Sequence, residues 1–143
     1  MTNSPMMLGV PEMDEDHLAI AALFARIATA DDAELPALLV EAETATIEHF
    51  AREEALMAKH DVPILFCHIA QHKKLLAEFT EAHAELAAGR VDLLSDMLRR
   101  VIPDLILAHV ASVDRVTSMW LTGVLGADDV AGLRLPEPSV AAG

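Results

Sequence analysis

Apolar residues recur at intervals of three and four along most of the chain, which is the period of an amphipathic helix. Residues that favour turns separate four such stretches, so the pattern predicts four helices. Short turns between four amphipathic helices predict an all-α fold, an antiparallel up-down-up-down four-helix bundle. The predicted helices run from about Asp14 to Ala30, Ala33 to His60, Asp61 to Ala88 and Asp92 to Leu121.

Individual residues predict where these helices begin and where they are distorted. Asp14 or Asp16 is the predicted cap of the first helix and Asp61 that of the third, because aspartate accepts hydrogen bonds from a free first turn. Pro103 lies inside the fourth helix and predicts a kink, since proline cannot donate a backbone hydrogen bond. Glycine and proline before and after the bundle predict three parts: an N-terminal arm (1–13), the bundle (14–122) and a C-terminal tail (123–143).

Histidines and carboxylates interrupt the stripes of these helices that should be apolar. Two pairs are spaced i, i+4, and each pair therefore projects from one face of its helix. One such pair alone is a weak signal, but a buried imidazole without a partner costs free energy unless a metal or a hydrogen bond satisfies it. The interrupting residues, from all four helices, are His17, His49, Glu53, His68, His72, His109 and Asp114.

The chemistry of this set suits a pair of transition-metal ions. Imidazole nitrogen is a good ligand for Fe, Zn, Cu or Ni, and a carboxylate can bridge two cations. The alternative is a group of core histidines that are satisfied by hydrogen bonds without any metal. Asp114 fits least well, because it follows His109 by five residues, about 140° further round an ideal helix. We therefore expect Asp114 to reach in from the side or to lie on a distorted turn.

Composition and charge exclude several other classes of function. The 143 residues carry a net charge of −13, which disfavours binding to nucleic acid or to an anionic membrane surface. The single cysteine, Cys67, cannot form an internal disulfide bond, and no apolar stretch has the length of a membrane-spanning helix. We expect a cytoplasmic protein with no nucleic-acid partner and no membrane partner.

Four motifs that contain these residues resemble those of the hemerythrin family, including its bacterial single-domain members. All seven ligand positions of that family are filled in order, over nearly the whole predicted bundle. The motifs are Asp14-Glu15-Asp16-His17, His49-Phe50-Ala51-Arg52-Glu53-Glu54-Ala55-Leu56-Met57, His68-Ile69-Ala70-Gln71-His72, and His109 followed by Asp114.

The resemblance implies a non-haem di-iron centre, with two Fe ions joined by an oxo or hydroxo bridge. It also implies an open position on one iron, and hence reversible binding of dioxygen or another small diatomic or anionic ligand rather than catalysis. The implied functions are storage, delivery or buffering of oxygen. The implied ligands are His68, His72 and His109 for one iron, His17 and His49 for the other, and Glu53 and Asp114 as bridges.

The chain departs from common members of the family around the pocket. Smaller side chains than the usual aromatic ones predict a centre that is more open to water and small ligands. Two alternative functions follow. One is a sensor of oxygen, nitric oxide or redox state that acts on a protein partner. The other is a peroxidase or nitric-oxide-consuming enzyme. The departures are Asp16 for Gln, Met6, Met7 and Leu8 near the arm where Trp and Tyr are common, Leu105-Ile106 for Trp-Leu, and Thr117 for Tyr.

Four further residues are assigned ordinary structural roles. His60 and His83 are predicted to be exposed helix positions, and Cys67 is predicted to be a small buried apolar residue. Trp120 is predicted to pack at one end of the bundle.

Overall fold

The computed structural model describes residues 6–126 and residue 128, and these residues form a bundle of four helices. The helices are α1 (Pro11–Thr29), α2 (Leu35–Lys59), α3 (Leu65–Ala87) and α4 (residues 91–121). Each helix packs against the next one along the chain, and α1 also contacts α4, which closes the bundle. The described residues contain no strand, so the predicted all-α bundle is confirmed. Most of the predicted tail lies outside the described residues, as do residues 1–5 of the predicted arm.

The first helix begins at Pro11, three residues before the predicted start at Asp14. Proline is favoured in a first turn because the N–H it lacks would have no partner there. The prediction that Asp14 or Asp16 caps this helix is wrong. Instead, the Asp14 carboxylate accepts hydrogen bonds from the backbone N–H groups of Leu8 and Gly9, at 2.6 and 3.0 Å, and so ties the preceding segment to α1.

The turn between α2 and α3 explains why the third helix begins late. Asp61 has a φ of 51°, the left-handed conformation that often ends a helix. The Val62 N–H donates to the Met57 carbonyl at 3.0 Å, and these two side chains pack in the same cluster, as in a Schellman motif. Asp61 therefore terminates α2 rather than capping α3, and the predicted cap is wrong.

The fourth helix is continuous but contains two π-helical turns, at Met97–Val101 and Val110–Asp114. The first lies just before Pro103, which stands in the first turn of the next α-helical segment. A proline ring clashes with the carbonyl four residues earlier, and a wider turn relieves that clash. The distortion predicted at Pro103 is therefore a π turn in the residues before it.

Apolar packing lies on both sides of the interrupting polar residues. The larger cluster includes Ile27, Leu39, Phe79 and Leu98, all fully buried. The smaller cluster is formed by Met57, Val62 and Ile64. On each of α2, α3 and α4, the buried histidines and carboxylates follow residues of one cluster in sequence and precede residues of the other.

The four residues with ordinary structural roles are placed as follows. Trp120 packs on the smaller cluster, and its indole N–H donates to the His60 carbonyl at 3.2 Å, as its predicted position at the bundle end requires. His60 is exposed, as predicted, whereas His83 is half-buried and bonds to Glu43. Cys67 is only partly buried, so the prediction that it is a small buried residue is wrong. No described helix is long and apolar enough to cross a membrane.

Candidate metal centre

The structure brings the seven interrupting residues together in one buried cluster. Each of these residues is at most 5% exposed. Their ligand atoms form two groups that share both carboxylates, and within each group the atoms lie within 4.8 Å of one another. We call these the three-histidine group, with His68, His72 and His109, and the two-histidine group, with His17 and His49; Glu53 and Asp114 belong to both.

Glu53 on α2 presents one carboxylate oxygen to each group. Its Oε2 lies 3.1 Å from His49 Nε2 in the two-histidine group. Its Oε1 lies 3.1 Å from His72 Nε2 in the three-histidine group. A carboxylate that faces two sets of nitrogen donors in this way is placed to bridge two cations.

Asp114 on α4 does the same because the helix is distorted at that point. Its Oδ2 lies 3.1 Å from His17 Nε2, and its Oδ1 lies 3.0 Å from His109 Nε2. The π turn Val110–Asp114 separates Asp114 from His109. Hydrogen bonds in a π-helix run between residues five apart, so such residues come onto one face. The expectation that Asp114 lies on a distorted turn is confirmed.

Several buried polar atoms in the cluster have no hydrogen-bond partner in the described part of the chain. They are His17 Nε2, Glu53 Oε2 and both carboxylate oxygens of Asp114. An unsatisfied buried polar group costs about 1–3 kcal/mol, and more if it is charged. Two imidazole nitrogens, His68 Nε2 and His109 Nε2, also face each other at 3.2 Å. Core histidines satisfied by hydrogen bonds alone do not describe these atoms, whereas two cations would satisfy them, so the residues fit a pair of metal ions.

Each of the five imidazoles makes an outward contact through Nδ1. A hydrogen bond donated by Nδ1 leaves the lone pair on Nε2, which is the nitrogen that faces the centre. This arrangement fixes both the tautomer and the orientation of a metal-binding imidazole. The acceptors are the Met6 carbonyl for His17 (3.0 Å), Asp16 Oδ2 for His49 (3.0 Å), Thr117 Oγ1 for His68 (2.8 Å), Glu54 Oε1 for His72 (3.0 Å) and Gln71 Oε1 for His109 (3.4 Å).

These acceptors are the part of the site that the sequence pattern does not reveal. Asp16 adjoins His17 in sequence but bonds to His49 on another helix. Glu54 likewise adjoins Glu53 but bonds to His72 on α3. Both contacts depend on how the helices pack, so neither leaves a periodic signal along its own helix.

Electrostatics keep the two carboxylates that both groups share charged. Burial alone would raise the pKa of Glu53, but the three imidazoles that face its carboxylate outweigh burial and lower that pKa to about 2. Burial would likewise raise the pKa of Asp114, and its imidazole partners hold that pKa well below the ordinary value. Burial would lower the pKa of His68, but the two carboxylates close to its Nε2 raise it to about 9. The two anions therefore favour positive charge at the centre of the cluster.

Apolar side chains line the two-histidine side of the cluster. An enclosed cavity of about 10 Å³, close to the least volume that holds one water molecule, touches the two-histidine group and Asp114. Met6 and Ile106 line it, and each is 8% exposed. Leu105 lines a surface pocket of about 360 Å³ that reaches His109 on the other side of the cluster. The expectation that smaller side chains leave the centre more open to water and small ligands stays a prediction.

A second, larger cavity lies outside the two-histidine group. It has a volume of about 320 Å³ and reaches His49 and Glu53 from the surface between α1 and α2. Met13 and Leu56 provide its apolar walls.

Comparison with known proteins gives one informative match. The chain is 32% identical to a bacteriohemerythrin from Ralstonia nicotianae over 114 residues, which are 80% of this chain and 82% of that protein. No protein-family model and no solved structure matches the chain.

Proposed function

Because the chain belongs to the hemerythrin family, we propose that it is a non-haem di-iron protein that binds dioxygen reversibly, for storage, delivery or buffering of oxygen. One observation carries this proposal: two groups of buried nitrogen donors share two carboxylates, each with one oxygen facing each group. Two metal ions, one held by each group, would satisfy these donors.

The two groups differ in the number of ligands that they offer, and this difference supports an open position. The three-histidine group supplies five protein donors and the two-histidine group supplies four, with Glu53 and Asp114 counted in both. The cavity of about 10 Å³ adjoins the two-histidine group. We therefore assign the position that binds dioxygen to the ion held by His17 and His49.

The residues around that cavity favour a small uncharged ligand. Ile20, Phe50 and Ile106 line it with apolar surface, and its size admits little more than one water-sized molecule. Two ferrous ions held here would supply the two electrons that reversible binding of dioxygen needs. Because imidazoles outnumber carboxylates, few anionic donors are present to stabilise the higher oxidation states that oxidation catalysts use. The arrangement supports a carrier rather than an enzyme.

The test measures bound iron and the reversibility of oxygen binding. Protein loaded with ferrous iron without air should hold two irons per chain. Its absorption spectrum should gain charge-transfer bands when air is admitted and lose them under vacuum. A preparation that holds two irons but does not return to its starting spectrum under vacuum overturns the carrier function.

Two histidine variants provide a matched comparison. His109→Ala removes a member of the three-histidine group and should abolish the reversible spectral change. His83→Ala removes a half-buried histidine that bonds only to Glu43 among the described residues, and it should leave both iron content and spectrum unchanged. Equal behaviour of the two variants contradicts the ligand assignment.

A second candidate function is consumption of peroxide or nitric oxide at the same centre. The larger cavity of about 320 Å³ favours it, because that cavity brings a small co-substrate up to His49 and Glu53. Repeated turnover of hydrogen peroxide or nitric oxide that is lost in His109→Ala supports an enzyme. A single stoichiometric reaction excludes one. The sensor alternative stays a prediction.

A further inference from the structure

Arg52 lies on the surface yet is connected to the centre through two contacts. Its guanidinium donates to both oxygens of Asp16, from Nε at 2.9 Å and from Nη2 at 2.8 Å. The same Oδ2 that Arg52 Nε contacts accepts a hydrogen bond from His49 Nδ1 at 3.0 Å. The side chains become steadily more buried along this path, with Arg52 57% exposed, Asp16 17% and His49 4%. The path crosses from α2 to α1 and back.

The two histidine groups each contain one imidazole that is bonded to a carboxylate. His49 bonds to Asp16 in the two-histidine group, and His72 bonds to Glu54 in the three-histidine group. The other three imidazoles bond to neutral acceptors. Arg52 neutralises Asp16, whereas no lysine or arginine pairs with Glu54 within the part of the chain that the structure describes. The two groups therefore differ in one respect: the carboxylate bonded to His49 is paired with a cation, and the carboxylate bonded to His72 is not.

That difference acts on the metal through the imidazole. A carboxylate that accepts the Nδ1–H bond makes the imidazole more basic and a stronger donor through Nε2. A stronger donor stabilises the ferric state more than the ferrous one. A guanidinium bound to the same carboxylate in a bidentate ion pair withdraws part of that negative charge.

We propose that Arg52 sets the reduction potential of the ion at the two-histidine group by acting through Asp16 on His49. Arg52 is a positioning residue, since it touches neither a ligand atom that faces the centre nor the cavity of about 10 Å³. Arg52 therefore raises the reduction potential of the ion at this group and favours its ferrous state. This inference rests on the proposed di-iron function.

The test is a set of variants whose midpoint potentials are measured on iron-loaded protein. Arg52→Gln removes the compensating charge and should lower the potential. Asp16→Asn keeps an acceptor for His49 but removes the negative charge, and it should raise the potential. Outer partners of this kind change metal affinity about tenfold or more, and a tenfold change in the ferric-to-ferrous affinity ratio corresponds to about 59 mV. Arg52→Lys keeps the positive charge, and its midpoint potential should stay close to that of the unchanged protein.

The double variant distinguishes this route from a general effect of surface charge. In the Asp16→Asn background, Arg52→Gln should change the potential much less, because the hydrogen-bonded route to His49 is gone and only the screened charge of Arg52 beside the larger cavity remains. Glu54→Gln is the matched control at the other group. It should raise the potential by itself, and in its background Arg52→Gln should lower the potential as much as in the unchanged protein.

Three results would overturn the inference. They are a change of less than twofold in the affinity ratio for Arg52→Gln, an equal effect of Arg52→Gln with and without Asp16, and loss of its effect in the Glu54→Gln background. Asp16→Gln replaces Asp16→Asn if the latter does not fold, as judged by thermal unfolding of the metal-free protein. Potentials can be measured whether or not dioxygen binds reversibly, so failure of the carrier function is recognised separately.

Discussion

Thr117 is the acceptor that holds His68 in place, and replacing it with valine isolates that contact. The hydroxyl is fully buried, lies 2.8 Å from His68 Nδ1 and donates to the Met57 sulfur at 3.8 Å. Valine has nearly the same shape, so packing is retained while the buried Nδ1–H of His68 loses its acceptor. A donor left unsatisfied in this way costs about 1–3 kcal/mol in the free energy of unfolding.

Urea denaturation of the metal-free protein measures this cost. With a slope of about 1–3 kcal/mol per molar urea for a small protein, the midpoint should fall by about 1 M for Thr117→Val, with the slope unchanged. Iron affinity should fall about 10- to 100-fold as well, because an outer partner of a metal-binding histidine is lost.

Thr46 provides the matched control for this prediction. It is also buried, at 1% exposure, but its hydroxyl donates only to the Ala42 carbonyl of its own helix, at 2.8 Å. Thr46→Val therefore leaves no ring nitrogen without a partner and should cost less than about 1 kcal/mol. If Thr117→Val and Thr46→Val lower the midpoint equally, the reasoning about His68 is refuted.

Three further predictions concern the centre and the core. Glu53→Gln should lose most bound iron, because a neutral amide cannot bridge two cations, whereas Glu43→Gln, outside the centre, should keep it; metal analysis of desalted protein decides between them. Bound iron should fall as pH drops, since imidazoles bind metal only when neutral and the pKa of about 9 at His68 makes protons compete for that ligand already at neutral pH; retention of iron after dialysis at pH 4 would contradict this ligand set. Phe79→Ala should destabilise the protein by about 3–5 kcal/mol because Phe79 is fully buried, whereas Phe66→Ala should have little effect, since Phe66 is 82% exposed; urea midpoints test both.

The residues that could be predicted from the sequence are those whose signal lies within one helix. His49 with Glu53, and His68 with His72, are spaced one turn apart on stripes that are otherwise apolar, so periodicity identifies them. Asp114 was predictable as an irregular member because the same periodicity excludes it from a regular helix. These residues and the all-α fold are therefore predictable from the spacing of residues within single helices.

Other features depend on information that a single helix does not carry. Asp61 suits a helix start and a left-handed helix end equally well by residue type, and the packing of Met57 against Val62 decides between them. The bonds from Asp16 to His49 and from Glu54 to His72 join separate helices. These hydrogen bonds can therefore be identified only from the structure of the whole bundle.

The two π turns of α4 restrict how this helix can evolve. A π turn is equivalent to one extra residue in a regular helix, and one residue rotates everything after it by about 100°. Regularising the second turn without deleting a residue would therefore swing Thr117 and Trp120 away from His68 and the His60 carbonyl, respectively. One-residue gaps in alignments of distant relatives should therefore fall within the two π turns and not elsewhere in α4. A redesigned bundle of ideal helices would have to supply its second bridging carboxylate from a different position.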